Sequence, residues 1–274
     1  MNPMIRKELR QRMRERRTWM LPSLYLVALG GAVALAYYFQ TEDVFGLGRH
    51  ELQGAQIGVT VFYTVIFTQM ALLLLMAPVF SAGSITIEKE QRTLADLLTS
   101  LLTPAQILRG KFTAALLFLV LLLVSALPVL SVPFALGGVS PREVCAAAGI
   151  TLLVVASMSA VGLYCSSFFR RSVHATAVSY AVVIALAVLT FAAFLILESR
   201  WLASRLAGSQ ATEGPPRYII ATLYLNPFFP LTAIFTGREH HFPDWAISLL
   251  LFTALGCLAA VLAWRNLRRA GEQV

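Results

Sequence analysis

The sequence predicts an all-α integral membrane protein with six transmembrane helices. It adds an N-terminal interfacial helix, two short helices between spans 2 and 3, and re-entrant or surface helices before span 6. Three observations carry that prediction. Six apolar runs, near 20–39, 56–80, 112–136, 144–168, 173–197 and 245–264, contain no Asp, Glu, Lys or Arg, and a helix of about 20 apolar residues crosses a bilayer. Charged residues make up only 13% of the 274, against roughly 25% in a soluble domain, and mean hydropathy is +0.72. The basic residues are also sorted by side. With the N-terminus placed in the cytoplasm, 16 of the 22 Lys and Arg fall inside, together with 6 of the 14 acidic residues. That leaves +10 inside and −2 outside, the bias of cytoplasmic loops. Both termini are therefore expected in the cytoplasm. The overall charge of +8 orients the chain in a membrane, and no nucleic-acid partner is expected.

Residues 1–19 carry Arg6, Lys7, Arg10, Arg12, Arg14, Arg16 and Arg17, with Ile5, Leu9 and Met13 recurring every fourth residue. Such a segment lies in the headgroup layer with its arginines towards anionic lipid. In the third run, Pro128 and Pro133 predict a kink in its outer half. The fourth run gathers Ala156, Ser157, Ser159, Ala160, Gly162, Ser166 and Ser167, small residues that permit close helix contact. They suit packing within the chain or a seam between two copies. Cys145, Cys165 and Cys257 lie in or at the ends of apolar runs and read as buried apolar residues.

The outer loop, 198–244, contains an uncharged stretch from Tyr218 to Phe235 that a hydropathy scan would take for a seventh span. Asn226-Pro227 and Pro230 interrupt it. Proline removes a helix hydrogen bond, and the residue before it avoids the helical region. A seventh crossing would also move Arg265, Arg268 and Arg269 outside. The stretch is therefore read as two short helices, which survive only when packed in protein or lining a wet cavity.

The loop between spans 2 and 3, residues 81–111, is the longest internal segment that is neither apolar nor a tail. It holds two helix-start signatures. Thr93 followed by Asp96, and Thr103 followed by Gln106, match the capping box, and Pro104 occupies the first helical position, where a missing N–H costs nothing. Two short helices are expected, at about 93–102 and 104–111. Each has a leucine or isoleucine side: Leu94, Leu97, Leu98 and Leu101, then Ile107 and Leu108.

The string ITIEKEQRTLADLLTSLLTPAQILRGK resembles the cytoplasmic loop of ABC-2 type permeases, the membrane subunits of ATP-driven exporters. The likeness rests on Glu88, Glu90, Thr93, Leu97, Leu98, Pro104, Gly110 and Lys111. The chain departs at Arg92, where the family commonly has Gly, and at Leu102. The NPFFPL string at 226–231 is similar to a proline-bearing stretch before the family's last span. The resemblance implies that 81–111 is the coupling loop docking on a separate ATPase subunit. Glu88, Glu90, Arg92, Thr93, Asp96, Leu97, Leu98, Pro104 and Lys111 would form that interface. It implies further that Asn226, Pro227, Phe228, Phe229 and Pro230 form an outer gate, and that two permeases enclose the path, a C2 homodimer being expected and a non-identical pair the alternative. ATP and magnesium would sit on the partner, with no cofactor bound by this chain, in the inner membrane of a bacterium.

What the chain lacks points the same way. No Asp, Glu, Lys or Arg lies within a span, whereas proton and ion relays keep such groups at depth. A phosphate loop needs Gly-x4-Gly-Lys-Ser/Thr. Here Gly110-Lys111 is preceded by Ala105 at the first Gly position and followed by Phe112. The histidines, His50, His174, His240 and His241, form no zinc-protease motif, and no nucleophile elbow is present. An enzyme is not expected. The alternatives to a permease are a non-transporting membrane scaffold or channel with a partner-docking loop and, behind it, an intramembrane enzyme.

Overall fold

A computed structural model describes residues 16–41, 54–94, 103–206, 217–232 and 244–271. Ten α-helices occur among them: α1 (Arg16–Thr41), α2 (Gly54–Ser81), α3 (Thr86–Glu90), α4 (Pro104–Ser125), α5 (Leu127–Leu136), α6 (Pro141–Phe168), α7 (Ser172–Leu206), α8 (Arg217–Ala221), α9 (Phe229–Thr232) and α10 (Asp244–Gly271). A 3₁₀ turn, Thr222–Leu225, follows α8. Six units are long and apolar enough to cross a membrane: α1, α2, α4 with α5, α6, α7 and α10. The protein is thus all-α and six-span. The interfacial helix expected over 1–19 lies almost wholly outside the described residues, and its last residues, from Arg16, already belong to α1.

Two boundaries differ from the sequence expectation. The short helix expected at 104–111 is not separate, because α4 starts at Pro104 and runs without a break to Ser125. Its capping box is present, with Thr103 Oγ1 accepting from Gln106 N–H and Gln106 Oε1 accepting from Thr103 N–H. Nothing after Gly110 stops the helix, so two polar turns prolong the apolar span. The third span instead breaks at Ala126, and Pro128 sits in the first turn of α5 with Pro133 inside it, as the prolines predict. A third capping box went unread in the sequence. Ser140-Pro141-Arg142-Glu143 starts α6, with Ser140 Oγ accepting from Glu143 N–H and Glu143 Oε2 from Ser140 N–H.

α6 is the hub, packed against α2, α4, α7 and α10. Its small residues make this possible. A Cβ on Gly162 would lie 2.1 Å from Ser81 Oγ on α2 and 3.2 Å from Ser179 Oγ on α7, and Gly256 of α10 abuts Ser157. The small residues of the fourth span therefore serve contacts within the chain. Around them Val61, Phe62, Val65, Met70, Leu119, Leu122, Met158 and Phe252 are buried. Of the three cysteines Cys165 is buried as expected, but Cys145 and Cys257 are exposed; an apolar run in a membrane protein has a face for lipid as well as one for the core. α7 and α1 are the least buried spans and form the rim of the bundle.

Candidate functional site

The residues of the predicted coupling loop begin where α2 ends at Ser81. The chain turns and starts α3, whose opening N–H groups have no partner within the helix. Ser166 Oγ, near the end of α6, accepts from both Ile85 N–H (2.8 Å) and Thr86 N–H (3.0 Å). Ile85 and Thr86 are fully buried, so α3 is seated in the bundle and does not hang from it.

The charged residues of α3 follow from that seat. Lys89 Nζ donates to the carbonyls of Ser166 (3.1 Å), Ser167 and Phe169 (3.0 Å). These are orphan acceptors at the C-terminus of α6, the negative end of its dipole. Glu90 takes the opposite position. Its Oε1 accepts from Ser172 N–H at 2.6 Å and Ser172 Oγ donates to both carboxylate oxygens, at the positive N-terminus of α7. A lysine and the glutamate beside it therefore cap two helix ends separated by one tight turn. Burial lowers the Lys89 pKa to about 8, and the nearby Arg170 charge adds to this. The Ser172 hydrogen bonds, backbone first, hold Glu90 below the usual carboxylate range, and Arg171 contributes in the same direction.

The third tie runs to α4. Lys111 Nζ donates to Glu88 Oε1 at 2.8 Å and to Ser84 O at 2.7 Å. Lys111 is only 2% exposed and Glu88 16%. The structure joins this pair, two of the residues expected at the docking interface, to each other. Lys111 faces inward and Glu88 answers it, so both support the loop from within and neither stands free on its surface. Removing one member of a buried pair strands the other's charge, which costs about 3–5 kcal/mol. A further tie fixes α10 to the same end, with Asn266 Nδ2 donating to Ser167 Oγ at 3.1 Å.

Past α3 the chain turns outward. Ile87, Glu90, Gln91, Arg92 and Thr93 are exposed. Arg92 has φ +59°, the left-handed region where glycine is at ease, which accounts physically for a glycine preference at this position. Thr93 N–H donates to Glu88 O at 3.0 Å, and Leu94 is already helical, so Thr93 stands at a helix start as its motif predicts. Asp96, Leu97 and Leu98 lie outside the described residues. Pro104 opens α4 and, like Thr103, stays near the surface.

At the other end of the bundle lies the proline-broken stretch. Asn226, 5% exposed, donates from Nδ2 to Ala187 O (3.1 Å) and Thr190 Oγ1 (3.0 Å) on α7. Its Oδ1 accepts from Phe228 N–H, and Ser248 Oγ of α10 donates to Tyr224 O at 2.7 Å. Phe228 stacks near Phe67 of α2, with ring centroids 6.2 Å apart. Pro227 and Pro230 are buried, while Phe228 and Phe229 are half-buried. Ala187 lies 15 residues from the start of α7, about 22 Å along its axis at 1.5 Å per residue. The break therefore packs beside the middle of α7, and the five residues expected at a gate are gathered there.

The chain matches the family of ABC-2 family transporter proteins over residues 3–239. It belongs to that family. A search of the curated proteins found no match. Membership makes this ABC-2 chain a membrane permease of an ABC transporter. In it the loop between spans 2 and 3 is a braced ledge, anchored by Glu88, Lys89, Glu90 and Lys111, with Arg92 and Thr93 on its outer rim. Sequence reasoning missed Lys89, Ser166 and Ser172, the residues that fasten the ledge. Ser166 reads as one small residue among many, and its partners, Ile85 and Thr86, lie about eighty positions away.

Proposed function

We propose that this chain is the permease subunit of an ATP-driven exporter and couples to a separate ATPase through the loop at 81–111. The observation that carries the reading is the ledge. A loop that only connected two spans would need no buried ion pair and no lysine capping a neighbouring helix. This one is fastened to α4, α6 and α7 and carries its exposed rim on that base. The basic end of the bundle faces the cytoplasm of a bacterium, so both termini and the loop lie on the ATPase side, with ATP and magnesium on that partner and no cofactor on this chain. Arg92, Thr93, Asp96, Leu97, Leu98 and Pro104 offer the docking surface, with Glu88, Glu90 and Lys111 bracing it. Asn226, Pro227, Phe228, Phe229 and Pro230 close the outer end. Two copies related by a twofold axis enclose the path.

Copurification tests this. Leu97→Arg places a charge where an apolar groove must accept it, and an unpaired charge is costly to desolvate. The variant is expected to accumulate in the membrane at the normal level while losing the ATPase and transport together. Retention of the ATPase by Leu97→Arg would return the loop to a passive connector. Failure of the variant to accumulate would place Leu97 inside the permease. A wild-type chain that brings down no ATPase would favour a scaffold or channel.

A further inference from the structure

α7 is tied to the coupling loop at one level and to the outer break at another. At its first residue, Ser172, it receives the carboxylate of Glu90 through three hydrogen bonds. At Ala187 and Thr190 it receives the amide of Asn226. These levels are 15 and 18 residues apart, about 22 and 27 Å along one unbroken helix. Between them Tyr180 donates to Leu75 O of α2 at 2.8 Å and Ala175, Ser179 and Val183 are buried, but α7 is the least buried of the crossing helices. No proline interrupts it, so a displacement at one end reaches the other without being absorbed.

We infer that α7 is the rod that carries motion of the coupling loop to the outer break, and that Lys89 and Glu90 form the clasp seizing it. The clasp is suited to this by charge. Lys89 holds the turn by the C-terminal carbonyls of α6, and Glu90 holds it by the N-terminus of α7. Charge-assisted bonds of this kind are roughly twice as strong as neutral ones. Because α3 is also pinned to α4 through Glu88 and Lys111, a push on the ledge moves α3 as a body and does not spend itself in bending the loop. At the far end Asn226 is the matching grip. Its amide spans α7 and the Phe228 backbone, so displacement of α7 pulls directly on the proline-broken turn. Lys89, Glu90 and Asn226 are positioning residues, which act through α7 and touch no cargo.

This rests on the proposal that an ATPase docks on the loop, and the experiment separates the two. Cys145, Cys165 and Cys257 are replaced by Ser, Phe228→Cys is added, and the permease–ATPase complex is placed in lipid nanodiscs. The rate of labelling by a hydrophilic maleimide is measured with and without ATP plus vanadate. With the clasp intact, nucleotide is expected to change the rate several-fold. With Lys89→Met and Glu90→Gln together, the ATPase copurifies in the same ratio and still hydrolyses ATP, but the nucleotide-dependent change falls below twofold. Lys89→Arg, whose guanidinium can still cap carbonyls, restores it. Ser172→Ala, which keeps the backbone N–H, gives an intermediate response. A full response in the double variant overturns the clasp. So does loss of the ATPase from that variant, which would make Lys89 and Glu90 docking residues. A labelling rate at position 228 that ignores nucleotide in the clasp-intact complex sinks the outer-gate reading itself and the rod with it.

Discussion

Arg92 is the one non-glycine with positive φ among the described residues. Its strain is local and testable. A left-handed conformation costs an L-residue with a Cβ roughly 1–2 kcal/mol, whereas glycine adopts it freely but loses more chain entropy on folding. The side chain is exposed, so little packing is lost with it. Arg92→Gly is expected to raise stability by up to about 1 kcal/mol, visible as a higher midpoint of thermal unfolding in detergent. Arg92→Val should lower it, because a β-branched residue is a true outlier there. An equal midpoint for all three would mean the turn relaxes out of φ +59°. The same residue shows how much one position discloses. Its departure from a Gly preference is visible in the sequence, but the reason, a turn closing α3 against Glu88, is visible only in the fold.

At the scale of elements, the bundle is held by a few close backbone approaches. One of the closest joins α2 to the outer half of the third span. A Cβ on Gly58 would fall 2.2 Å from Gly137 O and 3.0 Å from Pro133 O. Both are main-chain oxygens and cannot rotate away as a side chain can. The broken third span makes this contact possible, since Pro128 and Pro133 redirect α5 and Gly137 ends it at φ +86°. Gly58→Ala should therefore cost about 1–3 kcal/mol, the usual range for overpacking, and lower the unfolding midpoint. Gly30→Ala serves as the control, because nothing lies within 4 Å of its added Cβ. Equal midpoints for the two variants would show that α5 can move away from α2 at little cost.

Over the whole molecule, the contact between Asn266 and Ser167 decides how many times the chain crosses. It puts the far end of α10 at the same end of the bundle as Ser84, Lys89 and Lys111. α7 and α10 then run in opposite directions, and the stretch between them, described over 217–232, leaves no place for a seventh crossing. Single cysteines test this in a background without Cys145, Cys165 and Cys257. Arg268→Cys should react with an impermeant reagent only from the cytoplasm, and Gln210→Cys only from outside. If position 268 labels from outside, the six-span topology fails.

Much of this protein is legible in its sequence because the responsible forces are local or one-dimensional. Crossing runs follow from the length of apolar helix a bilayer demands, and the sorting of Arg and Lys follows from the cytoplasmic charge bias. The capping box at Thr103, the break at Pro128 and the interruption at Asn226-Pro227 depend only on neighbours within a few residues. What the tertiary structure alone decided involves partners far apart in the chain. Glu88 and Lys111 look like surface charges until α4 and α3 meet and bury their contact. Lys89 looks like any loop lysine until the end of α6 arrives 77 positions later with carbonyls that need a donor. Even the first two turns of α4 read as a separate short helix, although nothing after Gly110 stops it and it runs on to Ser125. A sequence states which groups are charged and how far each helix can run. Which carbonyl, carboxylate or helix end satisfies a given charge is settled only when the helices pack, because the cost of leaving that charge unpaired arises only once water has been removed from around it.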